Sequence, residues 1–379
     1  MPVPRPFRRV PRRTSTARPI VAAALLLLLG GCGSIAVRAP EAGSAGTLLI
    51  VGGGLDNDTA AVWQRFVQLA IARGPGRAVV VTAATGPQEV EATDKTEALR
   101  TWAPELPVEV VRRETSTADT VAAIDRATAL LFTGGDQQRI TARYRPDGGS
   151  SPERDAMVRL LQRGGVIAGC SAGCAMMGRQ MFEGGRSAQA LGLPPAEPVE
   201  GEPPALGPRL GAGMGFLPWG LTDSHFFERD RVGRLVPGLL ASGERFGLGV
   251  GEDAAIEVDL ATGTVVGLTP SESLLVDAAH ARNVGASWTG LGARVLGQGD
   301  RVLLRDASPS PPPAPLAPDV GREIPVVEPG QNRQLAAWRL FRQASRPGAG
   351  VLRLQCDGWA VRACAAPNGG TVFAIDVLR

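Results

Sequence analysis

Histidine, lysine and tyrosine are nearly missing from this chain: its 379 residues hold two histidines (His225 and His280), one lysine (Lys95) and one tyrosine. A serine hydroxyl is a poor nucleophile until a base takes its proton, so serine chemistry here has very few partners to choose from. Lys95 stands outside any Ser-x-x-Lys spacing, which removes a lysine-assisted serine enzyme. Five cysteines without clustered pairs, beside only two histidines, give no metal-site spacing. Neither a metal nor a cofactor is expected. The apolar run at residues 20–29 is too short to span a bilayer as a helix. Beyond the N-terminus the arginines are interspersed with acids rather than gathered in a block, so no nucleic-acid partner is implied.

What is present begins with an export signal. Residues 1–31 carry Arg5, Arg8, Arg9, Arg12, Arg13 and Arg18 and no acid, followed by the apolar run and by Leu29-Gly-Gly-Cys32. The small residues before Cys32 resemble a bacterial lipobox, in which that cysteine is acylated and becomes the mature N-terminus. A membrane partner through this lipid anchor and a cell-envelope location are expected, and Gly33, which is not aspartate, favours the outer membrane where a cell has two. Loss of residues 1–31 takes six positive charges from a formal +3 and leaves the mature chain near −3. The basic pI thus belongs to the signal. With Cys32 lipidated and Cys170 and Cys174 flanking Ser171, Cys356 and Cys364 remain as a candidate disulfide that an oxidising compartment permits.

Residues 32–46 are small and polar and read as a tether. A folded domain over 47–305 follows. A strand at 47–51 runs into Gly52-Gly53-Gly54, then a helical pattern through Trp63, Phe66, Leu69 and Ala70, then a strand at 78–82. A dinucleotide fingerprint is the competing reading of the triple glycine, but Asn57 stands where its third glycine is required. Strands at 108–111, 129–132 and 166–168, with helices near 117–127 and 155–163, predict an α/β fold with a mostly parallel sheet covered on both faces. Residues 183–213 are rich in glycine and proline without periodicity and read as a long loop, a candidate lid. Alternating segments at 255–259, 265–268, 274–277 and 293–296 predict antiparallel strands closing the domain. Eight prolines within 306–330 argue against helix or sheet and for a semi-rigid linker. The last segment, 331–379, offers a helix at 331–344 and strands at 351–355 and 371–377; it is too short for a robust core of its own and is expected to pack on the main domain.

The chemistry centres on residues 164–178, an apolar strand that stops at Gly169-Cys-Ser171-Ala-Gly173 and restarts as a helix. G-x-S-x-G lets the backbone turn sharply enough to expose the serine hydroxyl, the arrangement of a nucleophile elbow. The bland alternative is an ordinary strand-to-helix connection. Of the two candidate bases, His280 lies in a polar stretch with only Asp277 near in sequence. His225 lies among polar residues at the end of a short strand, with a helix starting behind it, which suits a base at a sheet edge. A satisfied structural histidine is the alternative for it.

Four blocks then occur in order: Phe132-Thr-Gly-Gly-Asp-Gln-Gln-Arg-Ile140, Gly169-Cys-Ser-Ala-Gly173, Thr222-Asp-Ser-His-Phe226 with Arg229 and Arg234, and Gly249-Val-Gly-Glu252-Asp-Ala-Ala255. Together they resemble the signature blocks of the cyanophycinase and α-aspartyl dipeptidase (peptidase E) family of serine peptidases. The resemblance implies a fold like the class I glutamine amidotransferases and a Ser171, His225, Glu252 triad. It also implies an oxyanion hole from the Gly135 and Ala172 amides, and substrate contacts from Gln137, Asp223, Arg229 and Arg234. Ser224 in place of a common glutamine, Cys170 in place of threonine, and a first glycine loop without the acidic-lysine ending depart from the family pattern and leave the substrate less defined than the reaction. The expectation is a serine exopeptidase acting on aspartyl-linked peptides, with cyanophycin, a β-aspartyl-arginine polymer, as one substrate. An aspartyl or isoaspartyl dipeptidase and a non-catalytic binder of acidic peptides are the rivals. A homodimer stays open.

Overall fold

The computed structural model describes residues 45–193, 207–285, 287–304, 322–323, 336–356, 358–366 and 370–377. The expected export signal, Cys32, nearly all of the expected tether and most of the 306–330 segment therefore lie outside the described residues. The first half alternates strand and helix: β1 (Thr47–Val51), α1 (Ala60–Ile71), β2 (Ala78–Val81), α2 (Gln88–Trp102), β3 (Val108–Val111), α3 (Thr117–Arg126), β4 (Ala129–Phe132), α4 (Gln137–Tyr144), α5 (Pro152–Gln162), β5 (Val166–Cys170) and α6 (Ala172–Ala175). The second half continues with β6 (Gln180–Phe182), α7 (Ser187–Ala190), β7 (Leu210–Ala212), β8 (Gly220–Asp223), α8 (Val232–Ser242), β9 (Phe246–Val250), β10 (Ala255–Asp259), β11 (Thr264–Gly267), β12 (Ser273–Asp277) and β13 (Arg282–Val284). It ends with β14 (Ser287–Leu296), β15 (Arg301–Leu303), β16 (Arg322–Glu323), α9 (Ala336–Ala344), β17 (Leu352–Cys356), β18 (Trp359–Ala365) and β19 (Thr371–Val377).

Local chemistry explains where the flanking helices start. Ser116 caps α3 by accepting from the Asp119 amide, and Ser151 caps α5 by accepting from Arg154 with Pro152 at the first helical position. The parallel strands are buried on both faces, which is why β1, β2 and β4 read as continuous apolar runs.

The first sheet has the order β15-β11-β10-β1-β5-β4-β2-β3. Its five central and far strands, β1, β5, β4, β2 and β3, are parallel, and β10, β11 and β15 extend it antiparallel. Trp63 and Phe66 of α1 and Leu99 of α2 cover one face. Ile124 of α3 and Met157 and Leu160 of α5 fill the other face in one cluster with Leu248 and Val250 of β9. Helices thus lie on both faces of a mostly parallel sheet, as the alternating pattern predicts.

The second sheet runs β16-β17-β18-β19-β14-β12-β9-β8, with β8 and β9 parallel and its middle strands antiparallel. The late strands therefore do not close one domain edge together. β10 and β11 join the first sheet, whereas β12 and β14 join the second. The C-terminal segment is built into this second sheet: β19 pairs with β14, and Leu340 and Phe341 of α9 enter the cluster that also holds Leu235 of α8.

Three expectations need correction. The proline-rich linker is not wholly outside a sheet, because Arg322 and Glu323 pair with Leu352 and Arg353 of β17; no proline occupies those two positions. The 183–213 loop has structured ends, the α7 turn and the β6-β7 hairpin, while residues 194–206 lie outside the described residues. Finally, Cys356 and Cys364 cannot bond to each other. Cys356 pairs with Trp359 at the turn of the β17-β18 hairpin, whereas Cys364 lies at the far end opposite Val372 and keeps a free thiol. Five residues of extended strand separate the two ends by about 17 Å at about 3.4 Å per residue, well beyond the ~7 Å limit between the Cα atoms of a disulfide.

Candidate active site

The strand ends of the two sheets converge at Ser171. It follows β5 with φ 53 and ψ −101, the strained left-handed turn of an elbow, and its amide donates to the Val51 carbonyl at 3.0 Å. The flanking glycines are required by contact: a Cβ at Gly169 would lie 2.4 Å from the Gly173 carbonyl oxygen, and one at Gly173 would lie 2.9 Å from that of Phe132. The base strand is tied to the elbow by Thr222 Oγ1, which donates to the Cys174 carbonyl at 2.7 Å in a buried bond.

His225 lies just beyond β8, also with positive φ, at 44°. Its Nε2 is 2.7 Å from Ser171 Oγ and its Nδ1 is 2.7 Å from Glu252 Oε1. With the Nδ1–H donating to the carboxylate, Nε2 is left to accept the serine proton, so the three side chains form a continuous relay. Glu252 sits on the link that carries the chain from β9 in the second sheet to β10 in the first. Burial holds the His225 pKa below its ordinary value; the charges of Arg229 and Arg231 push the same way, and the bond to Glu252 opposes them. The imidazole is therefore neutral at neutral pH and able to take a proton.

The neighbouring thiols do not compete with the serine. Burial pushes Cys170 up to about 11 and Cys174 well above its ordinary value. Gly134 lies against Ser171, where a Cβ would be 3.5 Å from the serine Cβ. Gly135 has φ 135 and packs so closely on Ala84 that a Cβ would lie 2.4 Å from its carbonyl oxygen. Among the described residues, no backbone carbonyl accepts from the Gly135 or the Ala172 amide.

The four expected substrate-contact residues fare differently. Arg229 is exposed beside His225, and its charge reaches the imidazole. The Gln137 side-chain amide donates to the Phe182 carbonyl at 2.7 Å, joining α4 to β6. Asp223 and Arg234, expected as substrate contacts, are turned on each other in this structure. Asp223 is 0% exposed and receives Arg234 Nε at 2.7 Å, Arg234 Nη2 at 2.5 Å and Arg231 Nη1 at 3.1 Å. Arg234 also donates to the Gly185 carbonyl at 2.6 Å and stacks over the Phe182 ring. The pair is a buried brace behind His225, and Arg231, its third member, was not singled out by sequence.

Gly53 was likewise read only as part of a glycine loop, with no link to His225. A Cβ there would lie 2.4 Å from His225 Cε1 and 2.6 Å from Nδ1, so the imidazole rests directly on the glycine backbone. The same loop accepts the His225 amide at the Gly52 carbonyl and the Asp253 amide at the Gly53 carbonyl, each at 3.0 Å. It clamps base and carboxylate segments together. A strand followed by three glycines is the only signal in the sequence that pointed here.

No protein-family model matches the chain. Among curated proteins it is 30% identical over 203 residues to a cyanophycinase of Nostoc sp., an alignment spanning 51% of this chain and 62% of that protein. It is 34% identical over 134 residues to a cyanophycinase of Geminocystis herdmanii, covering 34% and 42% of the two chains. The chain is thus similar to cyanophycinases over about half of its own length. The chain aligns with less than two thirds of the length of those relatives. Among solved structures, a peptidase from an acI-B1 Actinobacterium matches 69% of the chain and 98% of its own length at 17% identity and a TM-score of 0.47. The fold assigned to the chain rests on its own strand pairing.

Proposed function

We propose that the chain is a serine-type peptidase that hydrolyses aspartyl-linked amides through an acyl-enzyme. The observation that carries this reading is the unbroken relay of two 2.7 Å contacts from Ser171 Oγ through His225 to Glu252. Ser171 Oγ attacks the scissile carbonyl carbon while its proton passes to His225 Nε2, and Glu252 stabilises the imidazolium through Nδ1–H. The resulting oxyanion is met by the Gly135 and Ala172 amides, each such donor contributing about 3 kcal/mol in the transition state. On collapse the C–N bond breaks and His225 returns the proton to the leaving amine. Water, deprotonated by the same imidazole, then releases the acid and restores the hydroxyl.

The substrate side rests on charge. Exposed Arg229 beside the base suits a substrate carboxylate, and curated relatives carry the name cyanophycinase. Cyanophycin is the proposed substrate, with short α- or β-aspartyl peptides on the same machinery as the second reading. A fluorophosphonate tests the reaction class directly: the Oγ–P bond forms as P–F breaks, with the hydroxyl proton passing to His225. Labelling of the parent chain but not of Ser171→Ala is expected, and equal labelling of both refutes the serine mechanism. Side-by-side turnover of cyanophycin, Asp-Arg and β-Asp-Arg peptides assigns the substrate; turnover of none of them removes the aspartyl reading.

The location belongs to the same proposal. Residues 1–31 and Cys32 support a lipid-anchored envelope enzyme. Cys32→Ser is expected to move the protein from the membrane fraction to the soluble fraction with its labelling rate intact, and a variant that stays with the membrane refutes the anchor.

A further inference from the structure

Glu252 is an exposed carboxylate for a triad member: its side chain is 42% exposed, against 13% for His225. Its aim at Nδ1 therefore depends on how firmly the β9-β10 link is held. On the near side the Phe226 amide donates to the Val250 carbonyl at 3.1 Å; on the far side the Asp253 amide donates to Gly53 at 3.0 Å. The peptide between them, Gly251 to Glu252, meets Glu228.

Glu228 belongs to the turn that follows His225, and that turn is itself fixed by bonds from the Arg229 amide to the His225 carbonyl at 3.1 Å and from the Arg231 amide to the Phe226 carbonyl at 2.9 Å. Its side chain folds back so that Oε1 lies 3.3 Å from where a Gly251 Cβ would stand. The backbone N–H groups of Glu228 and Glu252 stabilise its charge, while burial, Glu252 and Asp253 oppose it. Burial dominates and the carboxyl is held above its ordinary pKa. Oε2 is buried without a partner. A carboxylate so placed, facing two others, is costly for a surface turn, and what it gains is a hold on the backbone of the residue that orients the base.

We infer that Glu228 is a positioning residue, which grips the Gly251–Glu252 backbone and so keeps the Glu252 carboxylate aimed at His225. The inference rests on the triad reading above. Its consequence for rate follows from geometry, because a displacement of about 1 Å in a catalytic group costs roughly 10²-fold.

The test uses Glu228→Met, which keeps the volume and removes the acceptor, and Glu228→Gln, which keeps an acceptor oxygen. Two readouts are taken on the full chain: fluorophosphonate labelling of Ser171, and the His225 imidazole pKa by nitrogen-15 NMR, where only two histidines need assigning. Glu228→Met is expected to label roughly 10- to 100-fold more slowly and to lower the His225 pKa further, because the Glu252 bond that favours the charged ring is loosened. Glu228→Gln is expected to stay within about threefold of the parent in labelling and to leave the His225 pKa in place. Parent-like labelling and an unmoved His225 pKa in Glu228→Met overturn the inference, as does a Gln variant as slow as the Met variant. Failure of the parent chain to label refutes the peptidase reading instead, and the His225 titration in Glu228→Met then decides the positioning role alone.

Discussion

Asp223→Asn separates a structural brace from a substrate contact. Asp223 is fully buried, and its two oxygens take three donors from Arg231 and Arg234, whose side chains are 16% and 5% exposed. Removing one partner of a buried ion pair typically costs about 3–5 kcal/mol, because the remaining charge stays buried and uncompensated. Asparagine keeps one acceptor oxygen but turns an NH₂ group toward a guanidinium, which places the change near the lower end, about 3 kcal/mol. At roughly 2–4 °C per kcal/mol for domains of 150–250 residues, and nearer 1–2 °C for a chain of this size, the melting midpoint should fall by about 3–6 °C. Differential scanning calorimetry of Asp223→Asn, Arg234→Met and the double variant reads this: the double variant should be less destabilised than the sum of the singles, since both remove one interaction. Glu252→Gln, by contrast, should melt near the parent and label much more slowly. A parent-like melt for Asp223→Asn together with a raised KM on an aspartyl peptide refutes the brace and returns Asp223 to the substrate side.

Gly53→Ala should slow fluorophosphonate labelling by roughly 10²-fold, since the added methyl would lie 2.4 Å from His225 Cε1 and must displace the ring; unchanged labelling refutes the contact. Ser171→Ala and His225→Ala should each lower turnover by roughly 10⁴- to 10⁶-fold, with the double variant scarcely worse, because nucleophile and base act as one unit; multiplying losses argue against the relay. The kcat/KM profile should lose activity as pH falls through an inflection below the ordinary histidine value of 6.5, since burial lowers the His225 pKa and the neutral ring is the active form. Arg229→Gln should move that inflection upward by removing a charge that disfavours the imidazolium, and a shift downward contradicts the assigned cause.

Local order determined much of this protein from sequence alone. The elbow at Gly169, Ser171 and Gly173 is a contact among neighbours in the chain, and the alternation from β1 to β5 follows from apolar runs and helical periods a few residues long. With two histidines available, composition narrowed the choice of base, whereas Glu252 came from the resemblance of the Gly249 to Ala255 block and not from any local pattern. Other features depend on which distant segments meet. Strands at 255–259 and 273–277 carry the same kind of apolar pattern yet enter different sheets, because alternation marks a buried face and says nothing of the partner. Asp223 and Arg234 look alike whether they face a ligand or one another; only the packing of α8 against β8 turned the charges inward as a pair. The register of a three-stranded meander put Cys356 and Cys364 at opposite ends of a hairpin that their spacing alone allowed to close. Gly53 and Glu228 show no local reason for their importance, since each is defined by a contact with His225 or the Gly251–Glu252 link that exists only once both sheets have brought their ends together.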